Sequence, residues 1–452
     1  MPDTQFAYRS NAGFCIANGP PSDSAAAEYT DVKQSIYSPC GRYIALLQTS
    51  SLAVLNTQNS SPVAEIPVQN VLDFEFSPLG TYVAVLVRYN KPAGDQRPPN
   101  NLTVFEVSTG SVCIEFSQKN QSGWNVQYTS DESLLCRLVS NQVHCYKVAD
   151  ISTGIAYRLN LESMSSFSIA PGNRHVLAAF VSEKKGSPAC VKLYDISNFN
   201  VVLSQKAFYR ADSVQYYWNA TGTNLLAFAH TEVDATGKSY YGETNLYYLS
   251  VSGTFDCRVD LDRAGPIHDI AWSPNGKEFI VVYGTMPAKS TLFDHRASPM
   301  FELGNAARNQ IRFNNTGRLF FIAGFGNLAG DMDVWDRKTF KKVITMQLSN
   351  PSSCEWGPDG RHFMATTLYK RLKVDNGIKI YHYSGVLVKQ IDVKEMHQSF
   401  WRPEPESNAL WPDRQSLSPP PSGLMPAKPV TVAGKYRPPG ARDGSVGIVY
   451  VI

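Results

Sequence analysis

The sequence predicts an all-β protein, a β-propeller of nine four-stranded antiparallel blades. Three observations predict it: a turn motif repeated along 452 residues, β-rich runs after each copy, and two chain ends that read as halves of one blade. The motif is an aromatic or large apolar residue, a short polar or proline-containing turn, and usually a glycine four residues on. It opens at Tyr37-Ser38-Pro39-Cys40-Gly41 and returns at Phe76-Ser77-Pro78-Leu79-Gly80, Trp272-Ser273-Pro274-Asn275-Gly276 and Trp356-Gly357-Pro358-Asp359-Gly360. Looser copies run from Trp218 to Gly222 and from Phe313 to Gly317, and degenerate ones start at Tyr128 and Ile169. The eight starts lie 39 to 54 residues apart, near the roughly 40 to 50 residues of one propeller blade.

Each part of the motif has a physical reason. Glycine supplies the positive φ of a tight hairpin turn, proline presets the entry angle, and the aromatic packs between neighbouring blades. A β-rich run follows each turn, as at Tyr43 to Leu47, Tyr82 to Val87, Phe279 to Tyr283 and Leu319 to Ala323, and then comes a third strand. The third strands include Leu102 to Val107, Val191 to Ile196, Met332 to Asp336 and Ile378 to Tyr381. One blade cannot bury both faces of its sheet, so the blades stack radially and closure removes the long exposed edge.

The chain ends supply the ninth blade. Gln5 to Arg9 and Gly13 to Ile16 read as second and third strands without a first, and Gln398 to Pro403 as a first strand without successors. Most propellers have up to about eight blades, so an eight-bladed ring with a loose N-terminal arm is the alternative. The propeller is expected over residues 1–403. Seven prolines between Pro405 and Pro429 make 404–452 a Pro-rich linker and tail.

Composition excludes several classes. Aromatic residues form 12% of the chain and charged residues 18%, unlike a disordered or coiled-coil protein, and the net charge of +3 marks no global nucleic-acid binder. The eight cysteines include no CxxC pair and read as reduced thiols. Neither a signal peptide nor an apolar run of about 18 residues is present, which predicts a cytoplasmic chain without membrane contact. The triplets at Asn101 and Asn219 then match the glycosylation pattern by chance.

Catalytic chemistry is not expected. Gly324 to Gly330 is a G-x-G-x-x-x-G run between two strands and opens no helix, so it lacks the dipole that cradles phosphate. Histidines are scattered, with no HxxxH, and His268 is expected to bond within its own blade; neither a metal nor another cofactor is predicted. No nucleophile elbow appears.

Binding is read from charge. Loops joining second to third strands emerge on one face of the ring. Blade two contributes Arg88, Lys91 and Arg97 there, and blade eight contributes Lys370, Arg371 and Lys373, while blade five carries Glu232, Asp234 and Glu243. Closure makes blades eight, nine, one and two neighbours, so the two basic sets and Arg9 of blade nine form an arc interleaved with Tyr89 and Tyr369. Lysine and arginine suit phosphate backbones, and the tyrosines suit stacking on unpaired bases. The competing reading is that long loops are simply charged and solvated. Arg42, Lys277, Arg318 and Arg361, which follow turn glycines, are assigned to the opposite face as turn residues.

The Ser-Pro-x-Gly turns, the Gly13-Phe14 to Pro20-Pro21 opening, Trp335-Asp336 and the tail Gly434-Lys435-Tyr436-Arg437-Pro438-Pro439-Gly440-Ala441-Arg442 together resemble the eukaryotic translation initiation factor 2A family over most of the chain. That resemblance implies a nine-bladed, non-enzymatic propeller that binds the small ribosomal subunit and promotes GTP-independent, codon-dependent delivery of initiator methionyl-tRNA on a subset of mRNAs, acting as a monomer. It also implies a basic, helical region beyond the tail motif that contacts mRNA and other initiation factors. Here the sequence departs after Arg442 and ends at Ile452, which predicts a form lacking that region. A WD-repeat scaffold within another multiprotein complex is the second reading.

Overall fold

Nine sheets stand in a ring, eight of four strands and one of five. They are seen in a computed structural model that describes residues 4–20, 25–91, 99–184, 186–231, 243–349, 351–404, 417–422 and 425–426. Blade one spans 34–67, blade two 71–116, blade three 127–160, blade four 164–208, blade five 213–258, blade six 267–306, blade seven 310–347 and blade eight 353–392. Blade nine takes its first strand, Met396–Trp401, from the end of the propeller, and Gln5–Ser10, Gly13–Asn18 and Ala25–Tyr29 from its beginning. The one helix among the described residues is a 3-10 segment, Val148–Thr153.

Every strand pairing is antiparallel, as a meander requires. Alternation then sends successive side chains to opposite neighbours. In the closing blade, Phe6 packs with Met364, Ile378 and Ile380 of blade eight, whereas Ala7, Phe14 and Ile16 pack with Ile44 and Leu46 of blade one. Phe6 pairs in register with Trp401, and their rings meet edge to face with centroids 5.7 Å apart. The nine-bladed ring with shared termini is the architecture expected from sequence, and the eight-bladed alternative falls.

The motif aromatics reach backwards onto the preceding blade. Trp218 Nε1 donates to Ser168 Oγ at 3.1 Å, Trp272 to the carbonyl of Tyr217 at 2.8 Å, Trp356 to that of Arg312 at 3.0 Å and Trp401 to that of Glu355 at 3.3 Å. Other inner-strand groups join the remaining junctions: Gln398 to the Ser35 carbonyl at 2.8 Å, Gln34 to Asp73 at 3.3 Å, Asn125 to Glu75, Gln127 to the Phe167 carbonyl at 3.0 Å and Arg312 to Asp269 at 2.6 Å. All nine junctions thus carry a hydrogen bond beside the channel.

The turn glycines answer a second constraint. Gly41 and Gly222 have φ of 68° and 66°, and a Cβ on either would lie 1.8 Å from the Pro403 carbonyl oxygen or 1.7 Å from that of Pro171. The repeat therefore keeps glycine both for its left-handed backbone and because the adjacent blade's turn rests against it.

Part of the Pro-rich tail lies against blade eight. Met425 pairs with Leu387 and Pro426 with Val386, which adds a fifth strand to that sheet. Ser418 meets His382 and Tyr383, both nearly fully buried.

Two outcomes follow from this packing. Phe6→Ala should lower stability by about 3–5 kcal/mol, the cost of a large ring removed from a closed core, read as a shifted urea midpoint; a change below about 1 kcal/mol would mean that the closing blade bears little load. Burial pushes His382 down from about 6.5 to about 4, reinforced by His362 and Arg361 and opposed by Asp359. Below about pH 6.5 the unfolded chain binds a proton that the folded site refuses, so stability present at neutral pH is lost as pH falls towards 4. His382→Gln should flatten that part of the urea-midpoint profile.

Candidate nucleic-acid interface

In an antiparallel blade the turns after the first and third strands share one face of the ring. The turns after the second strand and the connections to the next blade share the other. On this second face blade two presents exposed Arg88 and Lys91 beside half-buried Tyr89, and blade eight presents exposed Lys370, Arg371 and Lys373 after half-buried Tyr369. Arg97 and Asp95 lie outside the described residues, as do Glu232, Asp234 and Lys238 of blade five.

Ring closure makes these loops neighbours across four adjacent blades of the nine, but two members of the arc are not free in solvent. The Arg371 guanidinium donates to the carbonyls of Gly326 at 2.6 Å and Pro351 at 3.3 Å, tying blade eight to the blade-seven loop. Arg9 pairs in register with Gln398 and is half-buried. Its Nε is buried without a hydrogen-bond partner, and burial lowers its pKa. Tyr369 sets its ring edge-on to His397 at 5.9 Å, leaving Tyr89 as the aromatic without a ring partner among the described residues.

Connections between blades add cations that counting second-to-third loops overlooks. Lys33 between blades nine and one, Lys119 between two and three and Lys394 between eight and nine are all exposed on the same face. Their signal was the topology itself, since a meander places both kinds of loop together. The acids among them are Asp31, Asp375, Asp392 and Glu395. Hydrogen bonds from the Thr49 hydroxyl and amide hold the Asp31 carboxyl below its usual range. Arg88, Tyr89, Lys119, Asn101 and Gln118 line a cavity of about 150 Å³. Across the ring, Glu243, Asp260 and Asp262 line a larger open cavity of about 630 Å³ with Arg258 and Arg263.

Other sequence readings resolve in the same way. The Gly324 to Gly330 loop is closed on itself: Asn309 bonds both the amide and the carbonyl of Phe325, which is buried, and the Gly330 amide donates to the Gly324 carbonyl. His268 Nε2 bonds the Gly284 carbonyl of its own blade at 2.8 Å. Arg42 donates to the Leu79 carbonyl of the next blade's turn, and Arg318 forks onto Asp336 at the end of its own blade's third strand, so both tie together turns on that face. Asn101 and Asn219 are buried and hydrogen-bonded through their amides. All eight cysteines are free thiols. Among the described residues no group of three metal-ligating side chains forms, and no helix is long and apolar enough to cross a membrane.

A closed ring of nine antiparallel blades defines the class as a β-propeller. The family model described as eukaryotic translation initiation factor eIF2A matches residues 206–399. Eukaryotic translation initiation factor 2A of Schizosaccharomyces pombe is 43% identical over 455 residues, 97% of this chain and 78% of that protein. The Dictyostelium discoideum protein of that name is 34% identical over 419 residues, 91% of this chain and 67% of its own length. A solved structure described as a crystal structure of the eukaryotic initiation factor superposes with a TM-score of 0.82 at 39% identity, covering 90% of this chain and all of that one. The chain belongs to the eukaryotic translation initiation factor 2A family; it acts in translation initiation and is not an enzyme.

The two kinds of arginine and lysine separate experimentally. Arg371→Ala should cost about 1 kcal/mol, because two carbonyls lose a charged donor, whereas Lys370→Ala and Lys373→Ala should each stay within about 0.5 kcal/mol. Thermal denaturation of the three variants reads the difference, and equal losses would contradict the bonding described.

Proposed function

We propose that this initiation factor docks on the small ribosomal subunit through the face formed by blades eight, nine, one and two. From there it promotes delivery of initiator methionyl-tRNA without GTP, in response to the start codon, on a subset of mRNAs. The observation that carries this reading is the arc of exposed cations, Lys33, Arg88, Lys91, Lys119, Lys370, Lys373 and Lys394, gathered on one face by ring closure. Such a surface suits a phosphate backbone, because each neutralised phosphate releases condensed counterions. Tyr89 beside the cavity adds a flat apolar face on which an unpaired base stacks. The proposed setting is the cytoplasm, with the propeller acting as a monomer. Other initiation factors and mRNA are proposed partners.

Cosedimentation of the purified chain with bare small subunits, with and without initiator tRNA, tests the reading. Pelleting that strengthens with the tRNA is expected, and no pelleting with either would overturn it. The combined variant Arg88→Glu, Lys91→Glu, Lys370→Glu, Lys373→Glu leaves the structural Arg371 in place. It should bind at least about tenfold more weakly, with the salt slope on single-stranded RNA reduced by about 0.7 for each phosphate no longer neutralised. Unchanged affinity across the salt series would remove this face from the contact.

A further inference from the structure

Seven Ser-Pro pairs occur in the chain, at Ser38, Ser61, Ser77, Ser187, Ser273, Ser298 and Ser418. Ser38, Ser77 and Ser273 are buried in first turns. Ser61, Ser187 and Ser298 are exposed but sit in hairpins, where their amides or carbonyls bond across the turn. Ser418 differs from all six. It stands between exposed Leu417 and the exposed run Pro419 to Ser422, outside any hairpin, and it is half-buried because it is the anchor by which this run meets blade eight.

The anchor is built from two nearly buried side chains. The Ser384 amide donates to His382 Nδ1 at 3.3 Å, which makes Nδ1 the acceptor and leaves the proton on Nε2. Nε2–H then donates to Ser418 Oγ at 3.1 Å, and the Tyr383 hydroxyl donates to the Ser418 carbonyl. Behind this contact the Met425–Pro426 strand covers the outer edge of blade eight at Leu387 and Val386. The His382 ring is 2% exposed and faces His362, whose Nδ1 bonds the buried Asp359 carboxylate. Arg361 and Arg318 are both in electrostatic reach of Tyr383, and Arg318 is committed to Asp336.

We propose that Ser418 is a phosphorylation site for a proline-directed protein kinase, and that its phosphorylation releases the tail from blade eight. Ser418 Oγ attacks the γ-phosphorus of ATP and an O–P bond forms. The bond from that phosphorus to the bridging oxygen breaks and ADP leaves, while the hydroxyl proton passes to the kinase's catalytic carboxylate. Pro419 suits such an enzyme because it leaves no unsatisfied backbone N–H beside the acceptor. The seated contact is built for a neutral hydroxyl: Oγ already bonds a buried imidazole, and the dianion would face the Asp359 carboxylate through the paired histidines. The phosphoserine stays in solvent, and the fifth strand leaves the edge with it.

The test uses the full chain with ATP and a cyclin-dependent kinase, with sites mapped by mass spectrometry and hydrogen–deuterium exchange followed over Val386–Asp392. The expected result is modification of Ser418 and exchange at that edge faster by about tenfold or more, with the exchange of Ser418→Ala, whatever its starting level, left unchanged by the same treatment. His382→Ala should raise exchange there without any kinase. Three results would each overturn the proposal: no modification of a synthetic peptide spanning residues 412–426, modification of that peptide but not of the chain, or a phosphorylated chain whose edge exchanges as before.

Discussion

The ring is held at its narrowest circle. Nine sheets meeting edge-on around a channel leave each innermost strand with one backbone edge that has no fellow strand, and the side chains beside that edge bond across every junction. Where the motif residue is tryptophan, one side chain fills the gap between blades with its ring and satisfies a carbonyl with its N–H. Where it is not, glutamine, asparagine or arginine makes the junction instead. Burial raises the carboxyl pKa of Glu75 and Glu355 beside the channel, and the Asn125 amide partly offsets that for Glu75.

Much of this was legible as a repeat but not as a mechanism. The Tyr37, Phe76, Trp272 and Trp356 turns gave the blade count, and the incomplete strand sets at Gln5 and Gln398 gave the closure. The sequence could not show that Gly41 rests under a carbonyl from Pro403, because the contact joins residues at opposite ends of the propeller. Nor could it show that Trp218 and Trp401 donate to the preceding blade, since that depends on the radial order of sheets. The Met425–Pro426 strand left no pattern, being two residues paired with an edge that any extended segment could take.

The basic arc was legible in part for the same reason. Charge on Arg88, Lys91, Lys370 and Lys373 is visible in the sequence, and their grouping follows once the ring closes. How each cation is spent is a tertiary matter. Arg371 looks like its neighbours in the sequence yet serves two carbonyls of the adjacent loops, and Arg9 is half-buried in the closing blade. Lys33, Lys119 and Lys394 are each the sole cation of their connections, so no local cluster marked them.

Sharing a blade between the two ends of a propeller also sets a schedule for its birth. At the roughly 5–20 residues per second of ordinary synthesis, the strand Met396–Trp401 emerges roughly 20 to 80 seconds after Gln5–Ser10. For that interval the early hairpin of the closing blade has an open edge and unburied Phe6 and Phe14, the conditions under which strands take the wrong partner. On a crowded polysome the first available substitute is the same strand from a neighbouring nascent chain, whose pairing would knit two rings together by exchange of their ends.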